Sequence, residues 1–314
     1  MKVLVVTNMF PSDKRPWSGT FVKEQVDDLR RLGVDVAVLA FDGETDAWNY
    51  PRALRALWKA VRTDRYDLVH AHYGLTGLLA VTQRRRPVVT TFHGGDYTGL
   101  VPWHALVSRV VARLSTPVVV APEGVRRLHA STAVVIPAGV DTERFQPCDR
   151  ARARRALGLD PQAAYALLLG ARDDANKRAD LFDAAVARAR ASVPDLRSLS
   201  LEGLERSGVV TLLNAVDVSV MTSDLEGSPV AVRESLACLT PVVSVPVGDV
   251  ADVLAGLPGC AVVRRDPELL GAAMVDALGA ERHSALRERA LESSGRAVAQ
   301  RLIALYESVL ERGS

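Results

Sequence analysis

Hydrophobic residues along the chain alternate between short β-branched runs and longer segments with helical spacing. In the first half the short runs predict buried strands at Val3–Val6, Val34–Leu39, Asp67–His72, Pro87–Phe92, Pro117–Ala121 and Ala133–Ile136. Between them, apolar residues such as Phe21, Val26 and Leu29 recur every turn of a helix, which predicts amphipathic helices. Strands that alternate with helices indicate a parallel α/β sheet.

The same alternation starts again in the second half. It predicts strands at Ala166–Gly170, Val218–Thr222, Pro241–Val245 and Cys260–Arg265. The segment Pro137–Pro147, with a proline at each end, reads as a connector between two domains. Apolar residues from Val298 to Val309 predict one buried face on a C-terminal helix.

Composition supports two globular domains and excludes several other classes of protein. In the 314 residues, 48% are hydrophobic and 24% charged, with a net charge of +2, which argues against disorder and against a nucleic-acid partner. The apolar part of the N-terminus is too short for a signal peptide, and the three cysteines form no metal or disulfide spacing. We therefore expect a cytoplasmic protein. The first strand is not followed by G-x-G-x-x-G, which disfavours a dinucleotide dehydrogenase.

The stretch Asp217–Gly248 carries the strongest candidate chemistry. It reads as strand, turn, helix and strand, with Ser228 as the helix N-cap and Pro229 as the first helical residue. Glu226 follows the strand, where ligands bind in parallel sheets, and Glu234 lies further along the helix. The helix start between them favours a phosphate, so a diphosphate flanked by sugar hydroxyls would suit the site. The alternative is that both acids are merely solvated.

Three other segments hold candidate ligands. In the loop after Ala166–Gly170, Arg172 and Lys177 can clamp a diphosphate, or can form a solvated basic turn. His93 follows a predicted strand and faces the expected ligand side of the sheet, although a lone histidine is often structural. His70 and His72 alternate on one strand, so both point to one face; a metal pair is possible there, but no third ligand is near in sequence.

Seven motifs in order along the chain resemble one enzyme family. They are GTFVKEQVDDL, LVHAH, TFHGGD, IPAGVDTERFQP, GARDDANKR, EGSPVAVRESLA and TPVVSVPVGDV. Their combination resembles the retaining GT-B glycosyltransferases of family 4, in the branch that builds bacterial surface and capsular polysaccharides. The resemblance implies two Rossmann-like parallel-sheet domains facing across a cleft, with the C-terminal helix crossing back to the first domain. We expect residues 1–142 with 295–314 in one domain and 143–294 in the other.

The resemblance also implies a role for each candidate residue. Arg172 and Lys177 would hold the departing nucleoside diphosphate, Glu226 the donor sugar and Glu234 the ribose. His93 would reach the donor sugar or the reacting centre. Five further residues would lie near the donor: Gly19, Gly139, Gly227, Ser228 and Pro229. Asp96 would contact the acceptor or cap the next helix. No metal or other cofactor is implied.

The expected reaction is transfer of a sugar from a nucleoside-diphosphate sugar to a hydroxyl acceptor, for which a lipid-linked glycan is one candidate. A sugar-nucleotide epimerase and a non-catalytic sugar-binding protein are the alternatives. The segment Leu196–Thr211 is shorter than the family pattern, which leaves the nucleobase open and suggests a trimmed second sheet. Residues 1–146 carry 19 Lys and Arg against 14 Asp and Glu, and Leu100–Leu114 is apolar on one side. Peripheral contact with the inner membrane face is therefore a further hypothesis.

Overall fold

The computed structural model describes residues 1–13, 15, 18–43, 46, 48–97 and 102–313. It divides into two compact units. Unit 1 consists of Met1–Gly139 and Gly295–Ser314, and unit 2 of Val140–Ser294. The division between them falls inside the connector Pro137–Pro147. The predicted start of a helix at Leu100 and parts of the loop before Gly19 lie outside the described residues.

Within the described residues of unit 1, six parallel strands form one sheet in the order β2-β1-β3-β4-β5-β6. The strands are β1 (Lys2–Thr7), β2 (Asp35–Ala40), β3 (Leu68–His72), β4 (Val88–Phe92), β5 (Thr116–Val119) and β6 (Val134–Val135). Each falls on one of the predicted runs, so the prediction of a parallel α/β sheet is confirmed. The interiors of β3 and β4 are buried throughout, as expected for strands covered on both faces.

Helices cover both faces of this sheet. They are α1 (Thr20–Arg31), α2 (Asn49–Thr63), α3 (Gly74–Val81), α4 (Pro102–Leu114) and α5 (Pro122–Leu128). Because side chains alternate along β1, Val5 packs in a core with Val26 of α1, whereas Val6 packs in another with Leu57 of α2. The two cores hold the ends of the strands, and hence the loops after them, in a fixed order.

Unit 2 repeats the plan with five strands in the part of the chain that the structure covers, in the order β11-β10-β9-β7-β8. They are β7 (Tyr165–Leu168), β8 (Arg197–Ser200), β9 (Val218–Met221), β10 (Val242–Ser244) and β11 (Ala261–Val262). The helices are α6 (Arg150–Ala156), α7 (Ala179–Ala189), α8 (Arg206–Ala215), α9 (Val230–Ala237), α10 (Val250–Leu254), α11 (Pro267–Leu278) and α12 (Ser284–Glu292).

The segment Leu196–Thr211, which the sequence analysis expects to be shorter than the family pattern, forms the edge strand β8 and the start of α8. β8 pairs in parallel with β7, and only the short turn 201–205 separates it from the helix. The helix start therefore lies close to the carboxyl end of the edge strand, the end at which ligands bind in such sheets.

The C-terminal helix, α13 (Gly295–Gly313), returns to unit 1. Its residues Leu302 and Tyr306 are fully buried in the core that also contains Val5 and Val26. The predicted return of this helix to the first domain is thus confirmed. Over the ranges that the structure describes, no helix combines the length and the apolar character needed to cross a bilayer.

Candidate donor-binding site

The turn after β9 brings Glu226 close to the start of α9. This helix begins one residue later than the sequence predicts. Pro229 is the N-cap residue and the helix begins at Val230, so Ser228 does not cap it. The Ser228 hydroxyl instead donates to Asp249 Oδ2 over 2.9 Å. The predicted N-cap is therefore wrong, because a buried carboxylate nearby takes the hydroxyl. Proline has no side-chain group that could cap the helix. An anion can therefore bind to the backbone N–H groups of the first turn.

Lys177 and Glu226 form the central ion pair of this half of the chain. Lys177 Nζ lies 2.6 Å from Glu226 Oε1, with 21% and 17% of the two side chains exposed. Both residues lie on loops that follow parallel strands, β7 and β9, which are neighbours in the sheet. The geometry thus joins two of the residues that the sequence predicts to act on the donor.

The loops that carry this pair are locked to each other through Asn176. Its side-chain amide donates to the Leu225 carbonyl and accepts from the Leu225 N–H, both over 3.0 Å. The Asp224 N–H donates to the Asn176 carbonyl over 2.8 Å. Bonding to both backbone groups of one residue fixes the register of the loops, so Lys177 and Glu226 are positioned before any ligand binds.

Arg172 lies in a different arrangement from Lys177. Its guanidinium makes a two-nitrogen contact with both carboxylate oxygens of Asp183, at 2.8 to 3.0 Å, and lies 5.7 Å from the centre of the Phe182 ring. Asp183 raises the pKa of this guanidinium further above its ordinary range, chiefly through the hydrogen bond. The structure therefore shows the second predicted cation bonded to α7, not to the Lys177–Glu226 pair.

Glu234 is held by a residue that sequence reasoning missed. Only 4% of its side chain is exposed, and Glu234 Oε1 lies 2.7 Å from Nη1 of Arg206, the first residue of α8. The Arg206 guanidinium carbon lies 4.9 Å from the centre of the Phe145 ring. A buried carboxylate is costly without hydrogen-bond donors or a cation nearby, so a search for a partner of Glu234 could have directed attention to Arg206 in the segment Leu196–Thr211.

A buried network behind the turn was also missed. Arg233 and Asp249 are 3% and 6% exposed and form an ion pair, and Arg233 Nε donates to Ser293 Oγ over 3.1 Å. The Asp249 N–H donates to the Gly227 carbonyl. Gly248 has a φ of +55°, and a Cβ there would lie 2.3 Å from the Gly227 oxygen. This close packing fixes the turn that carries Glu226.

In unit 1, the two predicted glycines make close backbone contacts within the protein. Gly19 has a φ of +65° at the start of α1, and a Cβ there would lie 2.4 Å from the Met9 carbonyl oxygen. Gly139 lies against Gly295, whose Cα would be 3.1 Å from an added Cβ. Gly19 thus needs glycine for its backbone conformation and close packing, whereas Gly139 leaves only little room for a side chain.

Asp96 fixes the loop that carries His93. Its carboxylate accepts from the His93 N–H over 2.6 Å and from the Gly74 N–H, at the start of α3, over 2.8 Å. Burial raises the pKa of this carboxyl to about 7, against the lowering by the two backbone N–H groups. Asp96 therefore joins the end of β4 to α3 and closes the turn Gly94–Asp96.

His93 is the outermost of three neighbouring histidines. It is half-buried, with its Nε2 3.2 Å from Nδ1 of the buried His72, whose ring lies 4.5 Å from that of His70. His70 is bonded to Thr91 and to Tyr306 of α13, at 2.8 and 2.6 Å. Burial lowers the pKa of His70 and of His93 to about 3, and lowers that of His72 below its ordinary value.

These three histidine rings are thus neutral at physiological pH, and their hydrogen bonds are to other side chains of the protein. As predicted, His70 and His72 share one face of β3. Among the residues that the structure describes, no three His, Cys, Asp or Glu side chains are grouped as metal ligands. His93 also contacts the rings of Phe21 and Tyr73, at 5.0 and 4.8 Å between centroids.

Comparison with known proteins assigns both halves of the chain. A profile described as Glycosyltransferase Family 4 matches residues 18–144, and one described as Glycosyl transferases group 1 matches residues 185–280. The chain thus carries glycosyltransferase domains in both halves, the first of family 4. The second profile covers Glu226 and Glu234, whereas Arg172 and Lys177 lie between the two matched ranges.

Two relatives show how far the similarity extends. A D-inositol 3-phosphate glycosyltransferase of Geodermatophilus obscurus is 30% identical over 70% of this chain, which spans 62% of that relative's length. A Bacillus subtilis glycosyltransferase named for teichuronic acid biosynthesis, TuaC, is 26% identical over 81% of this chain and 83% of its own.

Solved structures share the GT-B fold of two Rossmann-like parallel-sheet domains. Sucrose-phosphate synthase from Thermosynechococcus elongatus matches with a TM-score of 0.80 and 16% identity, over 99% of this chain and all of its own. HepE from Anabaena, in complex with UDP, matches with a TM-score of 0.73 and 14% identity, over 98% of this chain and all of its own. These likenesses show the fold.

Proposed function

We propose that this family member transfers a sugar from a nucleoside-diphosphate sugar to a hydroxyl acceptor, with retention of configuration. The observation that carries the proposal is the Lys177–Glu226 pair, held at 2.6 Å beside the first turn of α9. A cation, a carboxylate and a helix start in one place match the phosphates and hydroxyls of a sugar nucleotide. The matched family and the relatives named glycosyltransferases support the same reaction.

The demanding event is departure of the diphosphate. As the bond from the anomeric carbon to the diphosphate oxygen breaks, its electron pair passes to that oxygen. Lys177 and the N–H groups at the start of α9 stabilise the growing negative charge. The acceptor hydroxyl oxygen then bonds to the same face of the sugar, and its proton passes to the diphosphate. The products are a glycosylated acceptor and a nucleoside diphosphate.

The remaining residues have supporting roles in this proposal. Glu226 accepts from hydroxyls of the donor sugar and Glu234 from those of the ribose. Arg172 adds a second cation once phosphate replaces Asp183 as the partner of its guanidinium. His93 contacts the donor sugar as a neutral ring, and no metal ion takes part. Activity should therefore survive chelation by EDTA, and its loss would contradict a metal-free mechanism.

Lys177→Ala tests the central assignment. We expect the turnover number at saturating donor to fall about 10²- to 10³-fold, the cost of removing one group that stabilises developing charge. The KM for the acceptor should stay the same. Lys59→Ala, which removes an exposed lysine from α2, is the matched control. Undiminished turnover in the Lys177 variant would refute the clamp.

The alternatives to transfer give different products. An epimerase converts the donor without an acceptor, so incubation with donor alone should yield an altered sugar nucleotide. A sugar-binding protein without catalysis should leave the donor intact under all conditions. Appearance of glycosylated product only when acceptor is present supports transfer. A thermal-shift screen of UDP, GDP, ADP and TDP identifies the nucleotide, and the UDP complex of HepE makes UDP the first to test.

The acceptor proposal rests on the relatives and on the surface of α4. The name of TuaC supports polysaccharide or glycoconjugate biosynthesis, in which a lipid-linked glycan is the acceptor we propose. Trp103, Leu106 and Leu114 lie on one side of α4 and are 54 to 61% exposed, with Arg113 beside them. Such a surface suits peripheral contact with an anionic inner membrane face. Failure to float with anionic liposomes at low salt would contradict this contact.

A further inference from the structure

The pairing of Arg206 with Glu234 differs from the exposed ion pairs that Arg172 and Arg178 form near the candidate site. Glu234 is 4% exposed, whereas the carboxylates bonded to Arg172 and Arg178 are at least half exposed. Solvent screens an exposed pair, but it cannot replace the partner of a buried carboxylate. Arg206 is therefore essential to how Glu234 is presented.

Arg206 is itself held from a second side. Its guanidinium lies over the ring of Phe145, which is fully buried in the core of unit 2. The Phe145 carbonyl accepts from Arg287 Nη1 over 2.9 Å, which anchors that residue's backbone. A guanidinium between an anchored ring and a buried carboxylate has little freedom to move. One third of the Arg206 side chain remains exposed.

The place of Arg206 in the fold points to the nucleoside end of a donor. It begins α8, directly after the turn 201–205 that follows β8. This turn lies at the carboxyl end of the edge strand, and the chain is shorter here than the family pattern. The short turn leaves the first residue of α8 in contact with Glu234 of α9.

We propose that Arg206 is a positioning residue for ribose recognition. It holds one oxygen of the Glu234 carboxylate so that the group accepts hydrogen bonds from the 2′- and 3′-hydroxyls of the donor's ribose. This inference rests on the proposed function, because it assigns Glu234 to a sugar nucleotide. Arg206 thereby makes the site select ribonucleotides over nucleotides that lack these hydroxyls.

The selectivity has a direct physical cause. Each hydrogen bond from a ribose hydroxyl to a charged acceptor contributes about a tenfold gain in affinity or more. A site built around such an acceptor rejects the analogue without the hydroxyl, because its polar group is then left unpaired. Without Arg206 the Glu234 carboxylate loses the contact that orients it. The affinity contributed by the 2′-hydroxyl and by the 3′-hydroxyl should then both decrease.

The test measures affinity for a nucleoside diphosphate and for its 2′,3′-dideoxy analogue by titration calorimetry. The base is the one that gives the largest thermal shift among UDP, GDP, ADP and TDP. The wild-type protein should prefer the ribonucleotide about 100-fold. In Arg206→Gln the preference should fall to about tenfold or less, while affinity for the dideoxy analogue stays the same. Glu234→Gln should reproduce this loss.

Two further variants separate positioning from general damage. Arg206→Lys keeps the charge and should retain part of the preference for the ribonucleotide. This variant also provides the test if Arg206→Gln does not fold. Arg197→Gln removes another arginine of the shortened segment, which is 53% exposed and bonded to Asp160, and should leave the preference unchanged. In turnover assays Arg206→Gln should raise the donor KM and leave kcat within a few fold, since Arg206 is distant from the bond that breaks in this scheme.

The outcomes distinguish failure of the proposed function from failure of the role assigned to Arg206. If the wild-type protein binds none of the four nucleotides, the proposed function fails, and this inference fails with it. If the wild-type protein prefers the ribonucleotide and Arg206→Gln retains that preference in full, the inference alone is overturned. An equal loss of affinity for both nucleotides would indicate a structural role and would also overturn it.

Discussion

At the scale of single residues, Gly170 determines where the Lys177 side chain lies. A Cβ at Gly170 would be 2.5 Å from Lys177 Cγ and 2.6 Å from its Cδ, closer than atoms can approach. The lysine stem is flexible, so in Gly170→Ala it should move aside and carry its ammonium away from Glu226. We predict a 10- to 100-fold loss of kcat, because small displacements of a catalytic group are costly.

The stability of the Gly170 variant should change by less than about 1 kcal/mol, because a partly exposed lysine stem can shift without disturbing the core. Gly208→Ala is the matched control. There the nearest atoms to an added Cβ belong to Leu204, at 3.4 Å or more, so the change should leave activity intact. Steady-state kinetics and urea unfolding check both variants. Full activity in Gly170→Ala would contradict the proposed dependence on the position of Lys177.

Residue positions on loops were easier to predict than their partners. Lys177 and Glu226 follow parallel strands, and the carboxyl ends of such strands meet at one edge of a sheet. Their proximity therefore follows from the fold. The partner of Glu234, Arg206, lies 28 residues earlier, in a segment to which the sequence analysis assigned no ligand. Which cation reaches a buried acid depends on helix packing, which hydrophobic spacing does not specify.

At the scale of elements, the Arg233–Asp249 pair joins α9 to the loop before α10. Both side chains are almost completely buried. Asp249→Ala would leave the Arg233 charge buried without its carboxylate, and we predict a loss of about 3–5 kcal/mol in the free energy of unfolding. The Ser228 hydroxyl would lose its acceptor as well. Urea unfolding monitored by circular dichroism measures the effect.

An exposed pair provides the comparison. Arg188 and Glu268 lie 2.9 Å apart with about 60% of each side chain exposed, so Glu268→Ala should cost less than about 1 kcal/mol. Replacing Arg233 and Asp249 together by Met and Leu should recover most of the loss, because no charge then remains buried. Equal losses of unfolding free energy in Asp249→Ala and Glu268→Ala would show that burial does not determine how much the Arg233–Asp249 pair stabilises the protein.

The elements themselves followed from the sequence where burial was extensive. The strands that cross each sheet centre were predicted within one or two residues, because continuous apolar runs have few alternative conformations. Several short helices, among them α5 and α6, were not predicted. The sequence of α6, RARARRA, has no apolar face, and Arg154 holds it in place by bonds to the Ala215 carbonyl and to Asp217. Tertiary bonds of this kind leave no hydrophobic pattern.

At the scale of the whole molecule, the C-terminal helix α13 packs against the sheet of unit 1. Tyr306 of α13 is bonded to His70 of β3, 236 residues earlier. Both side chains are fully buried, and His72 and His93 continue the line of rings towards the end of β4. This line of neutral histidines, two of them fully buried and His93 half-buried, makes the stability of this unit depend on pH.

The direction of that dependence follows from the pKa shifts. Burial lowers the pKa of His70 and of His93 to about 3, and also lowers the pKa of His72. Below about pH 6.5 the unfolded chain therefore binds protons on these histidines, whereas the folded protein does not. Stability should therefore fall as the pH drops below 6.5. Asp96 acts in the opposite sense, because its folded pKa of about 7 lets the native state bind one proton that the unfolded chain binds only near pH 4.

Between about pH 4 and 6.5, these four groups together give a net uptake of about two protons on unfolding. His70→Gln removes one group, so the slope of unfolding free energy against pH should fall by about 1.4 kcal/mol per pH unit. Tyr306→Phe breaks the same Tyr306–His70 bond but keeps the imidazole. It should lower stability by about 1–3 kcal/mol at every pH and leave the slope unchanged. Urea unfolding at pH 5, 6, 7 and 8 separates the two effects, and equal slopes in wild-type and His70→Gln proteins would show that His70 is not held neutral by burial.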